Sequence, residues 1–252
     1  MTTDHSHDHD QHQDHGHDRR DRMRRNGRRD ARTCTPDPSD IPAGEPGALP
    51  GPGTGTDAYD DEAAERLARR LRESRREHGP ERANADWMDG PLDAWLARLE
   101  RRGAGPDRDT MAALAVGMRE VLSIRDALIL SMLFDDDECG RDVLMDILSR
   151  PRTKEVSSTV RDLLSAAFED ERGPNVERCR AGVGMLAAMA GLMPRAFCAQ
   201  PYAAIAYVLW WLGDAGASAY ALRSLALDDG CSLAAIVLGA ASRGACPACA
   251  RR

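Results

Sequence analysis

The sequence predicts an all-α protein: an irregular array of about eight to nine short helices, paired as helical hairpins, behind a long disordered N-terminal tail. From residue 61 onward the chain has only 14 valine and isoleucine residues, and none lies in an alternating, strand-like run. Apolar residues recur instead at helical spacing, and glycine, proline or acidic turns separate the segments. A helical array is therefore favoured over a sheet.

Residues 1–56 are predicted to form the disordered tail. Met23, Ile41 and Leu49 are nearly their only large apolar residues, so ordering this segment would bury too little surface to offset its entropy. The tail contains a His/Asp tract at 4–18, an arginine-rich stretch at 19–32 and a Pro/Gly linker at 35–55.

Residues 57–86 are predicted to be a charged helical arm and linker. A helix is expected over about 57–77, capped by Asp57 and with acidic residues in its first turn. Because charges crowd a thin apolar face, we expect this helix to be a solvated arm that is at most partly packed. The apolar face consists of Ala64, Leu67, Ala68 and Leu71.

Residues 87–247 are predicted to be the helical domain, and 248–252 a flexible C-terminus. Pro91 suits the first position of a helix, whereas Pro151 and Pro194 end helices. Three further helices separated by Gly-Asp and Asp-Asp-Gly turns are expected over 201–247. The remaining predicted helices open at Gly90-Pro91, at about 111, at 124, at 140, at 153 and at Gly173-Pro174.

Composition and charge favour a soluble, cytoplasmic protein. The formal net charge is −7, and residues 87–252 are nearly neutral, so the folded part has no single-sign field to steer a nucleic acid. No apolar run approaches the ~20 residues that cross a bilayer. The seven cysteines are odd in number and follow no signal peptide, which favours a reducing compartment.

Three segments of the predicted helical domain form a recognisable set: IRDAL at 124–128, AYVLWWLGDAGA at 206–217 and ALRSLALDDGCSL at 221–233. Together they resemble a large, mainly actinobacterial family, the domain of unknown function 4192 family. The resemblance covers roughly residues 92–247. It implies a shortened or divergent member in which the charged tail replaces the family's N-terminal α/β portion, and it carries over no catalytic residue.

Two groups of residues are candidate metal ligands. Histidines on a flexible strand can wrap zinc or nickel, with the neighbouring aspartates adding oxygen ligands. The alternative is a polar tail that binds metal only as any polyhistidine does. Cys246 and Cys249 form a C-x-x-C pair that could add thiolates, although zinc sites normally use two such pairs. The candidate histidines are His5, His7, His9, His12, His15 and His17.

Other functional classes are disfavoured. The arginine-rich stretch at 19–32 suits phosphates, but it has no aromatic residue to stack on bases, so a nucleic-acid partner is not predicted. The chain lacks the common phosphate-loop, nucleophile-elbow and metalloprotease motifs, and residues 87–252 contain no histidine. The sequence favours a protein-interaction module with a protein partner and no cofactor. The alternative is a metal-handling protein, and an enzyme ranks third.

Overall fold

A computed structural model of the protein describes residues 58–251, which contain eleven α-helices and two short 3₁₀ turns but no strand. The all-α prediction is confirmed, and the predicted tail over 1–56 lies outside the described residues. The 3₁₀ turns are Arg195–Phe197 and Ala248–Ala250. The helices are α1 (Asp61–Glu77), α2 (Pro80–Leu99), α3 (Arg108–Glu120), α4 (Leu122–Leu133), α5 (Asp136–Cys139), α6 (Arg141–Ser149), α7 (Lys154–Glu169), α8 (Val176–Leu192), α9 (Ala199–Trp211), α10 (Gly216–Leu225) and α11 (Ser232–Ser242).

Helix α1 is packed into the fold, which corrects the prediction of a solvated arm. Ala64, Ala68 and Leu71 are fully buried, and the helix contacts α2 and α3. Two alanines one turn apart let a neighbouring helix approach closely, so a thin apolar face suffices. On the charged side, Arg72 bridges Glu65 within α1 to a carboxylate at the end of α3. The residues predicted as an arm therefore belong to the folded array.

The start of α1 also differs in detail from the prediction. Asp60, rather than Asp57, is the N-cap, and its carboxylate accepts a hydrogen bond from the backbone N–H of Ala63 at 2.6 Å. The preceding Tyr59 donates its backbone N–H to the Leu192 carbonyl at 2.9 Å. The chain is thus tied to the end of α8 just before α1 begins.

Helix α2 begins at Pro80 and passes through Gly90-Pro91, where the sequence predicts the opening of a helix. Pro91 removes only one backbone hydrogen bond. The buried face continues on both sides of it, with Met88 before and Leu92 and Trp95 after, and this burial outweighs the local loss. The predicted boundary at residue 87 consequently lies inside a helix.

Helix α4 is the centre of the fold. All of its residues except Leu122 and Asp126 are buried, and it packs against α2, α3, α6, α8 and α9. A helix that is apolar on nearly every side is stable only in such a surrounded position. Two buried arginines fasten its neighbours: Arg125 donates to Gln200 of α9 at 2.8 Å, and Arg178 of α8 donates to the Ser131 carbonyl at 2.7 Å.

Helices α9, α10 and α11 form successive antiparallel hairpins with a smaller apolar cluster of their own. Gly213, with φ of 69°, makes the turn after α9, and the Asp214 carboxylate accepts from the Gly216 N–H at 2.7 Å. The Trp210 indole donates to the Ala245 carbonyl at 2.8 Å. The last residues, predicted as a flexible end, include the 3₁₀ turn Ala248–Ala250, which contacts α7.

Candidate interaction surfaces

Helix α7 is the least covered of the longer helices. Only Val156 among its 16 residues is buried, whereas six of the 13 residues of α3 are. Its principal contacts are with α6 at one end and with the C-terminal 3₁₀ turn at the other. The sequence predicts an inward apolar face on this helix, and the structure covers that face only in part. The half-buried residues are Val160, Leu163, Leu164, Ala167 and Phe168.

A cleft of about 390 Å³ runs along this face. Leu133, Phe134 and Trp211, which come from the end of α4 and the end of α9, line one side of it. Leu163 and Ala166 of α7 line the other. The volume falls in the range of sites that hold a small ligand or one or two apolar side chains of a partner. We call this feature the α7 cleft.

The rim of the α7 cleft is mostly acidic. Asp170 is paired with Arg172 at 2.9 Å, and this hydrogen-bonded guanidinium holds the pKa of Asp170 below its usual range. Glu138 and Glu169 also line the cleft, and both are exposed. Arg172 neutralises Asp170, so Glu138 and Glu169 give the rim a net negative charge. The cleft therefore favours a ligand that carries a cationic group next to an apolar group.

An aromatic cluster adjoins the α7 cleft through Trp211, which lines it. Phe168 of α7 lies 6.2 Å, between ring centroids, from both Trp210 and Trp211. The Trp211 side chain is buried. Burial raises the pKa of Tyr207, and hydrogen bonding to the neighbouring Trp211 indole opposes that shift.

A second surface is the outer face of α11. This helix has no charged residue over Ser232–Ser242, yet only Ala234 and Val237 are buried. Ile236, at its middle, is 62% exposed. Helices so uniformly apolar are normally surrounded, as α4 is, but α11 packs mainly on α9 and α10. The other exposed large apolar side chains in the described range are Leu122, Val176 and Leu222.

Only two of the predicted metal ligands, Cys246 and Cys249, lie in the described part of the chain. The six candidate histidines lie outside the described residues. Cys246 and Cys249 are half-buried near the C-terminal 3₁₀ turn, where the Cys249 thiol lies 3.5 Å from the Trp211 carbonyl. Within residues 58–251, no group of three or more His, Cys, Asp or Glu side chains could hold a metal ion. The cysteine pair therefore gains no third ligand from the described part of the chain.

Three of the other cysteines are buried in apolar surroundings. Burial raises the pKa of the Cys139 thiol to about 11 and that of the Cys179 and Cys198 thiols to about 12. Each stays protonated near neutral pH, so none has the thiolate that a nucleophile or metal ligand needs. Cys198 lies within 3.5 Å of three backbone carbonyls, which suits a structural thiol.

The sequence did not predict the α7 cleft. Its walls come from residues near 133, 165 and 211, and helical periodicity says nothing about which distant helix covers a given face. The outer face of α11 had a sequence signal, since an uncharged helix this apolar needs a cover.

No helix in residues 58–251 has both the length and the apolar character required to cross a membrane. Comparisons with protein-family models, with curated proteins and with experimentally determined structures found no match. The resemblance to the domain of unknown function 4192 family therefore stays a prediction from the three quoted segments.

Proposed function

We propose that this protein is a cytoplasmic protein-interaction module whose α7 cleft binds an apolar segment of another protein. The observation that carries the proposal is the partly covered apolar face of α7, which lies opposite Leu133, Phe134 and Trp211. Membership of the family that the C-terminal helices resemble is proposed with it.

The chemistry of the cleft defines the partner. One leucine or phenylalanine side chain inserted into it would gain about 1.5–3 kcal/mol from burial. A neighbouring arginine or lysine would meet the carboxylates of Glu138 and Glu169, which adds orientation more than affinity. A segment with two apolar anchors and a basic residue therefore suits the site, and micromolar affinity is the reasonable scale for it.

One further feature supports a partner that displaces α7 slightly. Only Val156 of this helix is fully buried, so a small outward movement of the helix removes little fully buried surface. A small-molecule ligand is the alternative occupant of the cleft.

The test is selection of random peptides on the full-length protein. We expect the selected peptides to share two leucine or aromatic residues and at least one arginine or lysine. The blocking variant Ala166→Arg places a long cation in the cleft, and its matched control Ser165→Arg makes the same change at the adjacent exposed position. Peptides that bind the control and fail on the blocking variant support the proposal.

Two results would contradict it. One is selection without enrichment on a protein that is folded by circular dichroism. The other is a set of peptides that bind both variants equally, which would place binding on another surface. The metal-handling alternative rests on histidines outside the described residues, and no feature of residues 58–251 favours it over peptide binding.

A further inference from the structure

The residues that follow α11 pack against the fold beside α7. We call residues 246–251 the strap. Pro247 is buried, and the 3₁₀ turn Ala248–Ala250 contacts α7. The Arg251 guanidinium lies 5.9 Å from the centre of the Phe168 ring on that helix. The strap therefore covers part of α7.

Two glycines form the seat of the strap. A Cβ on Gly173, which has φ of 72°, would lie 2.7 Å from the Cβ and 2.8 Å from the Sγ of Cys249. A Cβ on Gly213, which has φ of 69°, would lie 3.1 Å from the Cβ of Ala250. The Cys249 thiol also donates to the Trp211 carbonyl at 3.5 Å. The strap thus lies on bare backbone at two points, and the Cys249 side chain occupies one of them.

The backbone between Cys246 and Cys249 holds the two thiols too far apart for a disulfide. Pro247 is extended, with φ of −57° and ψ of 158°, and Ala248 begins the 3₁₀ turn. These conformations set the Cα atoms of the two cysteines roughly 7–8 Å apart. A disulfide needs a Cα separation of about 4.4–6.8 Å. The backbone of the strap must therefore move before the two sulfurs can bond.

We propose that Cys246 and Cys249 form a reversible disulfide that releases the strap from its two-glycine seat. The bond draws the Cys249 sulfur toward Cys246 and away from Gly173. Because the backbone must rearrange at the same time, the docked strap and the disulfide exclude each other. Disulfides in reducing compartments are usually transient and serve catalysis or redox sensing, which fits a release device.

The oxidant is a low-molecular-weight disulfide. One thiolate of the strap attacks a sulfur of this molecule, breaks its S–S bond, releases one small thiol and forms a mixed disulfide. The second thiolate attacks the sulfur of the first cysteine, forms the protein S–S bond and releases the second small thiol. The protein loses two electrons and two protons, and the two small thiols carry them away. Both strap cysteines are half-buried, whereas the four other cysteines in the described range are buried, which directs the oxidant to the strap.

Release of the strap also affects the α7 cleft. Gly173 and Trp211 line this cleft, so the cleft and the seat of the strap share a wall. Without the strap, α7 loses one of its contacts and moves outward more easily. The oxidised protein should therefore bind the selected peptide about threefold more tightly or better. This consequence rests on the proposed function, whereas the disulfide and the release of the strap do not.

Treatment of the full-length protein with glutathione disulfide, followed by peptide mapping, is the first test. Trypsin cuts after Arg243 and Arg251, so both strap cysteines lie in the peptide 244–251. After oxidation this peptide should take up an alkylating reagent only when dithiothreitol has reduced it. Hydrogen exchange of the strap amides should rise by at least about tenfold. In Cys249→Ser, the matched control, the same treatment should leave hydrogen exchange at the value of the reduced wild type.

A second test measures the coupling between docking and oxidation. Since the two states exclude each other, a variant that weakens docking should favour the disulfide. Gly173→Ala places a methyl group against Cys249, so it should shift the equilibrium of the cysteine pair with glutathione toward the disulfide by at least about tenfold. The control Gly184→Ala adds a methyl group that meets nothing within 4 Å, and it should behave like the wild type.

Three results would overturn the proposal. They are a strap peptide that stays reduced or is joined to another cysteine, a disulfide that leaves hydrogen exchange of the strap unchanged, and a Gly173→Ala protein with the redox equilibrium of the wild type. Circular dichroism spectra of every variant establish that each is folded. A disulfide that releases the strap of a protein that binds no peptide would support this proposal and contradict the proposed function, so the two failures are distinguishable.

Discussion

Two glycines of α8 give the sharpest prediction about the fold. A Cβ on Gly182 would lie 2.2 Å from the Met132 sulfur and 2.5 Å from its Cγ, while a Cβ on Gly184 would meet nothing within 4 Å. Met132 is fully buried in α4, where close packing leaves a side chain little room to move. The two positions are in one helix and differ only in what faces them.

The magnitudes follow from two opposing effects. Replacing a helical glycine by alanine gains up to about 1 kcal/mol in helix propensity. Overpacking a filled core costs typically about 1–3 kcal/mol. Gly182→Ala should therefore lower the free energy of unfolding by about 1–2 kcal/mol, whereas Gly184→Ala should raise it by about 0.5–1 kcal/mol.

Urea unfolding followed by circular dichroism measures both effects. The double variant Gly182→Ala/Met132→Ala provides the internal check, because the added methyl group would partly fill the space left by the methionine. Its loss should be smaller than the sum of the two single losses by about 1–2 kcal/mol. A Gly182→Ala protein as stable as Gly184→Ala would refute the close approach of α8 to α4.

The remaining predictions concern titration, ion pairs and metal. Burial raises the pKa of the thiols of Cys139, Cys179 and Cys198. The stability that each protonated thiol contributes to the folded protein is therefore complete below about pH 9 and is lost as the pH rises towards 11–12. Urea unfolding at several pH values should show that the free energy of unfolding falls above pH 9 by up to about 1.4 kcal/mol per pH unit for each thiol. In Cys198→Ser the fall should be smaller by the share of one thiol. A free energy of unfolding that does not change with pH in this range would contradict the prediction. Arg125→Met should lower the free energy of unfolding by about 1–2 kcal/mol because it removes the buried hydrogen bond to Gln200. Arg161→Met breaks a similar Arg-Asp pair on the surface and should change stability by less than about 0.5 kcal/mol. Equal losses would argue against the buried contact. If the histidine tract handles metal, deletion of residues 1–18 should abolish zinc or nickel binding in calorimetry, and full-length protein without binding would end that hypothesis.

Much of the fold was predictable because the segments with strong helix signals in the sequence are also the segments that pack in the core. The apolar run over 124–134 predicts a buried helix, and α4 spans Leu122–Leu133. Pro151 and Pro194 end helices where expected, since a proline cannot continue the hydrogen-bonded ladder. In such segments, the residues that form the helix also form the core.

The predictions were wrong where contacts between residues far apart in the sequence determine whether a helix is buried or where it begins. Nothing near Ala64 and Ala68 in the sequence reveals that α2 and α3 cover them. Pro91 is a helix-opening signal in isolation, but α2 runs through it because Met88 and Leu92 share one buried face. The α7 cleft was beyond prediction for the same reason, as its walls meet only in three dimensions.

The most direct test of the account is the affinity of a selected peptide for the wild-type protein and the two α7 variants, measured by isothermal titration calorimetry. We predict that wild type and Ser165→Arg bind with equal, micromolar affinity, and that Ala166→Arg binds at least tenfold more weakly. Equal affinity for all three folded proteins would show that the α7 cleft is not the binding site and would contradict the proposed function.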